Sequence, residues 1–380
     1  CFEGCVQLCG SLGAFFQNFV SGGRVMTRNN VKQYVEKCVQ DFDAVSLYPS
    51  AMHLFEGFLK GMPKRITTTN YDELKRYDGL FLKVRVTKVG KARPFPVLSH
   101  LDKTKGTKNW TNDLVDKICF LDKTGLEDAI TFQGVGFEVL DGYYFDQGFN
   151  TQIKEQIEVI FNKRLEAKAA GNDGLQQAYK LLMNSSYGKL IEKTPDTDIR
   201  YIPKEDVLRT VEKQYNHIKV WTPLKSSSYV RMETHKPLDE SFSSPHLGCQ
   251  ILSYSKRLMN KVMTLADDND INIYYTDTDS IHIDEAGVEP LAKLYEDKYG
   301  QKLIGKKLGQ FHCDFESEGL SKIKSIGLIT LGKKSYIDKL EGVDKDGNTK
   351  HAYHIRLKGI SPAAIENHAK KRESKEFKLC

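Results

Sequence analysis

A chain of 380 residues, 40% hydrophobic and 28% charged, can bury a sizeable core and is long enough for two or three structural lobes. No apolar run approaches the ~20 residues that span a bilayer, no secretory signal opens the chain, and neither low complexity nor a repeat period is present. The net charge of +6 is mild for a nucleic-acid binder, so the distribution of charge carries more information than its sum.

Basic groups recur at Lys163-Arg164, Lys306-Lys307, Lys333-Lys334 and Lys370-Lys371-Arg372. The eight cysteines are scattered, a pattern of reduced thiols in an intracellular compartment. Cys1, Cys5 and Cys9 are spaced to share one helical face, but a fourth zinc ligand and a close cysteine pair are missing, so apolar packing is the expected role. The chain opens at Cys1 and stops at Cys380 in a basic stretch, and reads as a piece of a longer polypeptide.

In chain order, Val35–Phe42 reads as a strand leading into Asp43, and Pro49 suits the first turn of a following helix. The stretch from Leu59 to Phe145 is mixed, with β-like pieces such as Gly79–Val86, while Lys91–Trp110 is rich in Pro, Lys and Thr and reads as a loop. Thr151–Ala170 is an amphipathic helix with Ile153, Ile157, Ile160 and Leu165 at helical spacing. Gly171-Asn172-Asp173-Gly174 breaks it, a second helix runs from about Leu175 to Tyr187, and Gly188 is its expected stop, giving an αα-hairpin. Pro195–Pro245 reads as a β-rich insertion and His246–Ala266 as a helix. Ile271–Tyr275 and Ser280–Asp284 flank an acidic turn as a hairpin. Leu328–Lys339 is a further strand-pair candidate, and a basic helix begins at Pro362.

Four short stretches carry the chemistry. The first is Asp43-Ala44-Val45-Ser46-Leu47-Tyr48-Pro49, a carboxylate at the end of an apolar run. Another is Tyr275-Thr276-Asp277-Thr278-Asp279-Ser280, where two carboxylates spaced two apart leave an extended segment on one face. Each alone reads as an ordinary solvated turn or strand-to-helix connection. Brought together, they form a cluster of negative charge with no local lysine or arginine, costly unless divalent cations sit in it. Hard oxygen ligands of this kind suit Mg²⁺, whose remaining ligands are waters and phosphates. The third stretch is Lys180-Leu181-Leu182-Met183-Asn184-Ser185-Ser186-Tyr187-Gly188. Lys180, Asn184 and Tyr187 fall at i, i+4 and i+7 on one stripe, suited to phosphates and a stacked base. The last is Lys333-Lys334-Ser335-Tyr336, where a strand would place Lys334 and Tyr336 on one face.

Together these stretches resemble the family B DNA polymerases, with their D-x-x-S-L-Y-P, K-x-x-x-N-S-x-Y-G, Y-x-D-T-D-S and K-x-Y motifs in that chain order. The resemblance reaches from about Ser21 to Tyr336. The protein-primed branch of phage, adenovirus, linear-plasmid and transposon enzymes is the best match. The distance between the first two motifs leaves room for the inserted region of that branch. Ser21-Gly22-Gly23 resembles its Y-x-G-G element, whose tyrosine position is Val20 here.

The resemblance implies an α+β, right-hand fold of palm, fingers and thumb. Residues 1–58 would be an N-terminal segment and the first part of the palm, 59–145 an insertion within it, and 146–192 the two-helix fingers. Residues 193–245 would be a β-rich insertion, 246–340 the rest of an antiparallel palm, and 341–380 the start of an incomplete thumb.

It also implies DNA-directed addition of deoxynucleoside triphosphates to a primer 3′-hydroxyl, with two Mg²⁺ ions, or Mn²⁺, as cofactors. By carry-over, Asp43, Asp277 and Asp279 are the catalytic carboxylates; Asp43 and Asp279 are the principal metal ligands and Asp277 a lesser one. Ser46, Leu47, Tyr48, Lys163, Arg164, Lys180, Asn184 and Tyr187 would bind the nucleotide, with Tyr48 excluding a 2′-hydroxyl. Lys334, Tyr336, Ser21, Gly22 and Gly23 would meet primer or template. Implied partners are primer-template DNA, dNTPs and a terminal priming protein, with no membrane. The rival readings are an RNA- or DNA-primed replicative polymerase of the same family, a non-catalytic DNA-binding relative and an inert fragment.

Overall fold

The computed structural model describes residues 2–102, 106–193, 197–236, 243–315 and 320–361, together with Ala364. The chain opens with α1 (Gly10–Gln17), β1 (Val25–Thr27), β2 (Gln33–Val35), β3 (Val39–Ala44) and α2 (Leu47–Leu54). The expected strand 35–42 is thus two strands, interrupted at Glu36-Lys37-Cys38. Next come β4 (Phe58–Leu59), β5 (Lys64–Arg65), α3 (Tyr71–Leu74), β6 (Gly79–Lys88), β7 (Ser99–Asp102), β8 (Thr107–Trp110), β9 (Ile118–Asp122), α4 (Lys123–Gln133), β10 (Gly136–Phe145) and β11 (Phe149–Asn150). The helical pair is α5 (Gln152–Ala169) and α6 (Asp173–Leu190). After it follow β12 (Thr197–Pro203), α7 (Val207–Gln214), β13 (Ile218–Pro223), β14 (Tyr229–His235) and α8 (Pro245–Asp268). The chain continues through β15 (Ile273–Asp277), β16 (Ser280–Asp284), α9 (Glu285–Tyr299), β17 (Phe311–Cys313), β18 (Ser321–Gly332), β19 (Ser335–Val343) and β20 (Thr349–Leu357).

Among the described residues, the largest sheet has nine antiparallel strands, in the order β1-β15-β16-β3-β18-β19-β20, with β17 also pairing β3 and β2 pairing β18. One face packs on α8 and α9. Phe42, Ile281 and Ile283 of the sheet meet Met259, Val262, Met263, Val288 and Leu291 there, all buried. Pro245 occupies the first turn of α8, and most of the helix is buried, with polar Ser253, Asn260 and Thr264 among the buried residues beside its apolar ones.

Residues 59–145 build a second sheet, β5-β10-β6-β9, over a separate apolar cluster that includes Leu80, Leu82, Val84, Leu126 and Ala129. Leu80, Leu82, Val84 and Val86 alternate along β6 to face this cluster, while Phe81 is buried on the opposite face against Phe16 and Phe19. Within this region Lys91–Trp110 is not merely a loop: Ser99–Asp102 and Thr107–Trp110 pair as a hairpin. Residues 197–235 form a small sheet, β12-β14-β13, closed by α7 over Val207, Val230 and Met232.

α5 and α6 make the expected hairpin. Gly171 turns the chain with φ +69°, and the Asn172 side chain accepts from the Leu175 N–H to cap α6. Two details differ from the sequence reading. Gly188 does not end the helix, which continues to Leu190, because Leu190 is buried against α8 and tertiary contact outweighs one glycine's propensity. Leu165 faces solvent and Phe161 occupies the buried stripe, beside Ile153, Ile157 and Met183, which pack on Ala51 and Met52 of α2.

Cys5 and Cys9 precede α1 rather than lying on a helical face, since the helix begins only at Gly10. Cys1, the tail helix expected from Pro362 and Lys370-Lys371-Arg372 lie outside the described residues. Among the described residues no helix is long and apolar enough to cross a membrane.

Candidate active site

Strand register brings the two acidic stretches together. Asp277 on β15 lies opposite Ser280 on β16, Ser280 opposite Asp43 on β3, and Asp43 opposite His312 on β17. Directly opposed residues of antiparallel strands share a face, so Asp277, Asp43 and His312 line one row across four strands. The backbone seals the junction: the Ala44 N–H donates to the Asp279 carbonyl at 2.8 Å.

The acidic turn is tight. Thr278 takes a left-handed conformation at φ +66°, and the Asp279 N–H folds back onto the Asp277 carbonyl at 2.7 Å. The turn therefore does not continue as an extended strand, and Asp279 leaves from the tip rather than from Asp277's strand position.

Burial pushes the Asp43 carboxyl up to about 8, helped by the neighbouring charges of Asp279, Asp41 and Asp314, while Lys180 pulls the other way. Burial raises Asp279 too, with Asp277 and Asp41 adding to it. Two neighbouring carboxyls that resist ionisation because of burial and nearby acids are a donor set suited to a hard divalent cation.

The cluster does have a local cation. Lys334 Nζ lies 2.8 Å from Asp277 Oδ1 and 2.9 Å from its Oδ2. Lys334 sits at φ +55° in the β18–β19 turn, not within a strand, so it does not share a strand face with Tyr336. Its backbone N–H donates to the Tyr275 hydroxyl at 2.8 Å. Tyr336 is 6% exposed, its ring 4.9 Å from those of Tyr275 and His282. It supports the acidic strand from inside the sheet instead of presenting its ring to a primer.

After Asp43, Ser46 is left-handed at φ +47° at the start of α2, and its hydroxyl accepts from Arg164 Nη1 at 3.0 Å. That bond ties the first motif to α5. Leu47 is buried, so it has only its backbone to offer. Tyr48 stacks on Tyr187 with centroids 4.1 Å apart and planes 25° from parallel. Lys163, Lys180 and Asn184 are exposed, and Lys180 is near enough to act electrostatically on both Asp43 and Asp314.

Gly23 has a steric reason. A Cβ there would lie 2.6 Å from Thr278 Cγ2 and 3.0 Å from Thr278 Cα, so only glycine lets this segment lie against the acidic turn. The adjacent Arg24 accepts on its carbonyl from the Thr278 N–H, and its guanidinium donates to the carbonyls of Phe95 and Pro96 at 2.8 Å. Gly22 faces open space. Ser21 accepts on its hydroxyl from Lys108 Nζ at 2.6 Å and on its carbonyl from Lys256 Nζ at 3.0 Å. Lys333 Nζ reaches the Lys108 carbonyl at 2.7 Å. A basic ridge thus surrounds Ser21.

Sequence reasoning passed over several groups. His312 and Asp314 stand beside Asp43, and neither lies in a recognisable motif. One step along the same face, Asp41 lies opposite His282, whose Nε2 is 3.2 Å from Asp338 Oδ2. Burial alone would lower the His282 pKa, but the neighbouring carboxylates of Asp41 and Asp338 outweigh it and raise it. Alternation along β3 would have flagged Asp41, two residues before Asp43; His282, Asp338 and Arg24 gave no signal.

The profile of the family described as DNA polymerase type B, organellar and viral, matches residues 6–269. A DNA polymerase of Kluyveromyces lactis is 23% identical over 337 residues, covering 83% of this chain and 30% of the relative. A probable DNA polymerase of Neurospora intermedia is 26% identical over 320 residues, covering 80% of this chain and 30% of the relative. The chain therefore spans about a third of the length of these curated relatives. Among solved structures, phi29 DNA polymerase in an orthorhombic crystal form superposes with a TM-score of 0.67 at 18% identity, over 95% of this chain and 57% of that one. Its ternary complex with primer-template DNA and incoming nucleotide substrates gives 0.65 at 19% identity, over 98% and 58%. The fold is that of phi29 DNA polymerase across nearly the whole chain, as the right-hand expectation required. The chain belongs to the type B DNA polymerases of the organellar and viral kind.

Proposed function

We propose that this polypeptide carries out template-directed DNA synthesis, adding deoxynucleoside triphosphates to a primer 3′-hydroxyl and releasing pyrophosphate. One observation supports this above the others: two acidic stretches more than 230 positions apart in sequence are adjacent strands, with Asp43 opposite Ser280 and Asp279 bonded through its carbonyl to Ala44. Asp43 and Asp279 would hold two Mg²⁺ ions, Mn²⁺ substituting, with Asp277 in a lesser part. Such ions, when bound, supply a lowered pKa at the attacking hydroxyl and a counter-charge for the triphosphate.

The chain's own groups bind and orient. Lys180, Arg164 and Lys163 on the helical hairpin meet the triphosphate, and Asn184 and Tyr187 frame the nascent pair. Tyr48, backed by Tyr187, lies against the sugar and leaves no room for a 2′-hydroxyl. Closing the hairpin over a correct pair brings its cations in, which selects for that pair. Ser21, Gly22, Gly23, Lys108 and Lys334 form a surface for primer-template phosphates, so affinity for DNA falls with salt.

The large sheet as far as β19 serves as the palm, α5 and α6 as the fingers, and β20 on its edge opens the thumb. Residues 59–145 would be the region that meets a priming protein. The length of this insertion and the Ser21-Gly22-Gly23 element favour the protein-primed branch.

Primer extension with the wild-type polypeptide and with Asp43→Asn and Asp279→Asn tests the reading. Both variants are expected to bind primer-template normally and to lose incorporation by at least ~10³-fold, as expected when electrostatic stabilisation of phosphoryl transfer is removed. Normal extension by either variant sinks it.

A further inference from the structure

We propose that His312 is a nitrogen ligand to a divalent cation shared with Asp43, with Asp314 beside it, so that this position takes Mn²⁺ in preference to Mg²⁺. The inference rests on the reading above, in which Asp43 holds a cation at a polymerase site.

Three observations converge on His312. The strand β17 is only three residues long, yet it seats His312 directly opposite Asp43 on the edge of β3 away from the acidic turn. Side chains of directly opposed antiparallel residues stand roughly 4.5–5.5 Å apart at Cβ and share a face. One ligand atom from each of Asp43, His312 and Asp314 lies within 4.8 Å of the other two. A single ion with ligands at about 2.1 Å separates opposed donors by about 4.2 Å, so small side-chain adjustments close the set.

The imidazole is also prepared for the role. His312 Nε2 lies 3.2 Å from Asp314 Oδ1, whereas its Nδ1 is buried without a hydrogen-bond partner. A histidine that gives one nitrogen to a carboxylate and leaves the other free is the arrangement by which proteins orient a metal-binding imidazole. The backbone holds this pair in place: the Asp314 N–H donates to the Asp41 carbonyl at 2.9 Å, and the Val45 N–H donates to the Gln310 carbonyl at 2.8 Å. β17 is thereby fastened to the first motif on both sides of His312.

The donor set decides the metal. Mg²⁺ demands oxygen ligands in near-ideal octahedral geometry and keeps its waters. Nitrogen from imidazole favours first-row transition ions, and carboxylates keep the site hard enough for Mn²⁺. The ion on the β17 side of Asp43 is therefore distinct in chemistry from one held on the Asp279 side by oxygens alone.

Electron spin-echo spectroscopy of the untagged polypeptide loaded with Mn²⁺ reads this directly, because a coordinated imidazole imposes ¹⁴N modulation on the manganese signal. Wild type is expected to show that modulation and His312→Gln to lose it. Titration should show one Mn²⁺ weakened by about tenfold or more in His312→Gln, with Mg²⁺ affinity changed little. Asp314→Asn should retain the modulation with weaker Mn²⁺ binding. Absence of ¹⁴N modulation in wild type overturns the inference without any variant having to fold. Unchanged modulation in a folded His312→Gln overturns it as well. Failure of the polymerase reading shows differently: Asp279→Asn would extend primers normally, whatever the manganese spectrum.

Discussion

Lys334 closes on Asp277 with its ammonium 2.8 and 2.9 Å from the two carboxylate oxygens, and so takes up one of the three acids of the proposed catalytic cluster. Asp277 is thereby the least available of the three to a cation, while Asp43 and Asp279 remain without such a partner among the described contacts. The lysine is half exposed and the pair is worth roughly 0.2–1 kcal/mol. Lys334→Ala is therefore expected to tighten Mn²⁺ binding by no more than about fivefold and to weaken primer-template binding. Parallel Mn²⁺ and DNA titrations check both. Weaker Mn²⁺ binding in the variant would show that the lysine supports the cation site instead of competing for it.

The stack of Tyr48 on Tyr187 gives the proposed sugar gate a rigid back. Removing the ring should open space where a 2′-hydroxyl would go. Tyr48→Val is expected to lower the preference for deoxy- over ribonucleotides by on the order of 10–100-fold, the scale a shape-based pocket supplies. Tyr187→Ala should produce a smaller loss, since the aromatic pair contributes ~0.5–1.5 kcal/mol to holding Tyr48 in place. Single-turnover incorporation of matched dNTP and rNTP pairs measures both. Equal discrimination in wild type and Tyr48→Val removes the gate role.

The acidic cluster predicts a pH signature. Burial and the neighbouring acids push Asp43 up to about 8 and raise Asp279, whereas both titrate near ~4 in the unfolded chain. Between those values the folded state holds more protons than the unfolded one, so metal-free stability falls as pH rises through that window. The melting temperature without metal is expected to decline from about pH 5 to about pH 8, and millimolar Mg²⁺ to restore it at the upper end with little effect at the lower. Asp43→Asn should flatten the metal-free profile. A melting temperature indifferent to both pH and Mg²⁺ would show that the carboxyls are not under electrostatic load.

Much of this molecule was legible in its sequence. Apolar spacing in the stretches around Ile153 and Leu82, the glycine-rich break at Gly171 and Pro245 at a helix start are local signals, and local signals survive in any context. The residue types at Asp43, Asp277, Asp279, Tyr48 and Lys180, in that order, carried the proposed chemistry into the sequence reading. What the sequence could not specify was register. Whether Asp43 faces Ser280 or a neighbour depends on how β3 slides against β16, and a slip of one residue would turn every side chain to the other face. Register also brought His312 to Asp43, hundreds of positions away, and Lys334 to Asp277, 57 positions away, pairs that no period links. The burial of Tyr336 and the continuation of α6 past Gly188 escaped the sequence for the same reason: burial belongs to the packed whole, and neither a strand's alternation nor a glycine's propensity reveals what will lie against it.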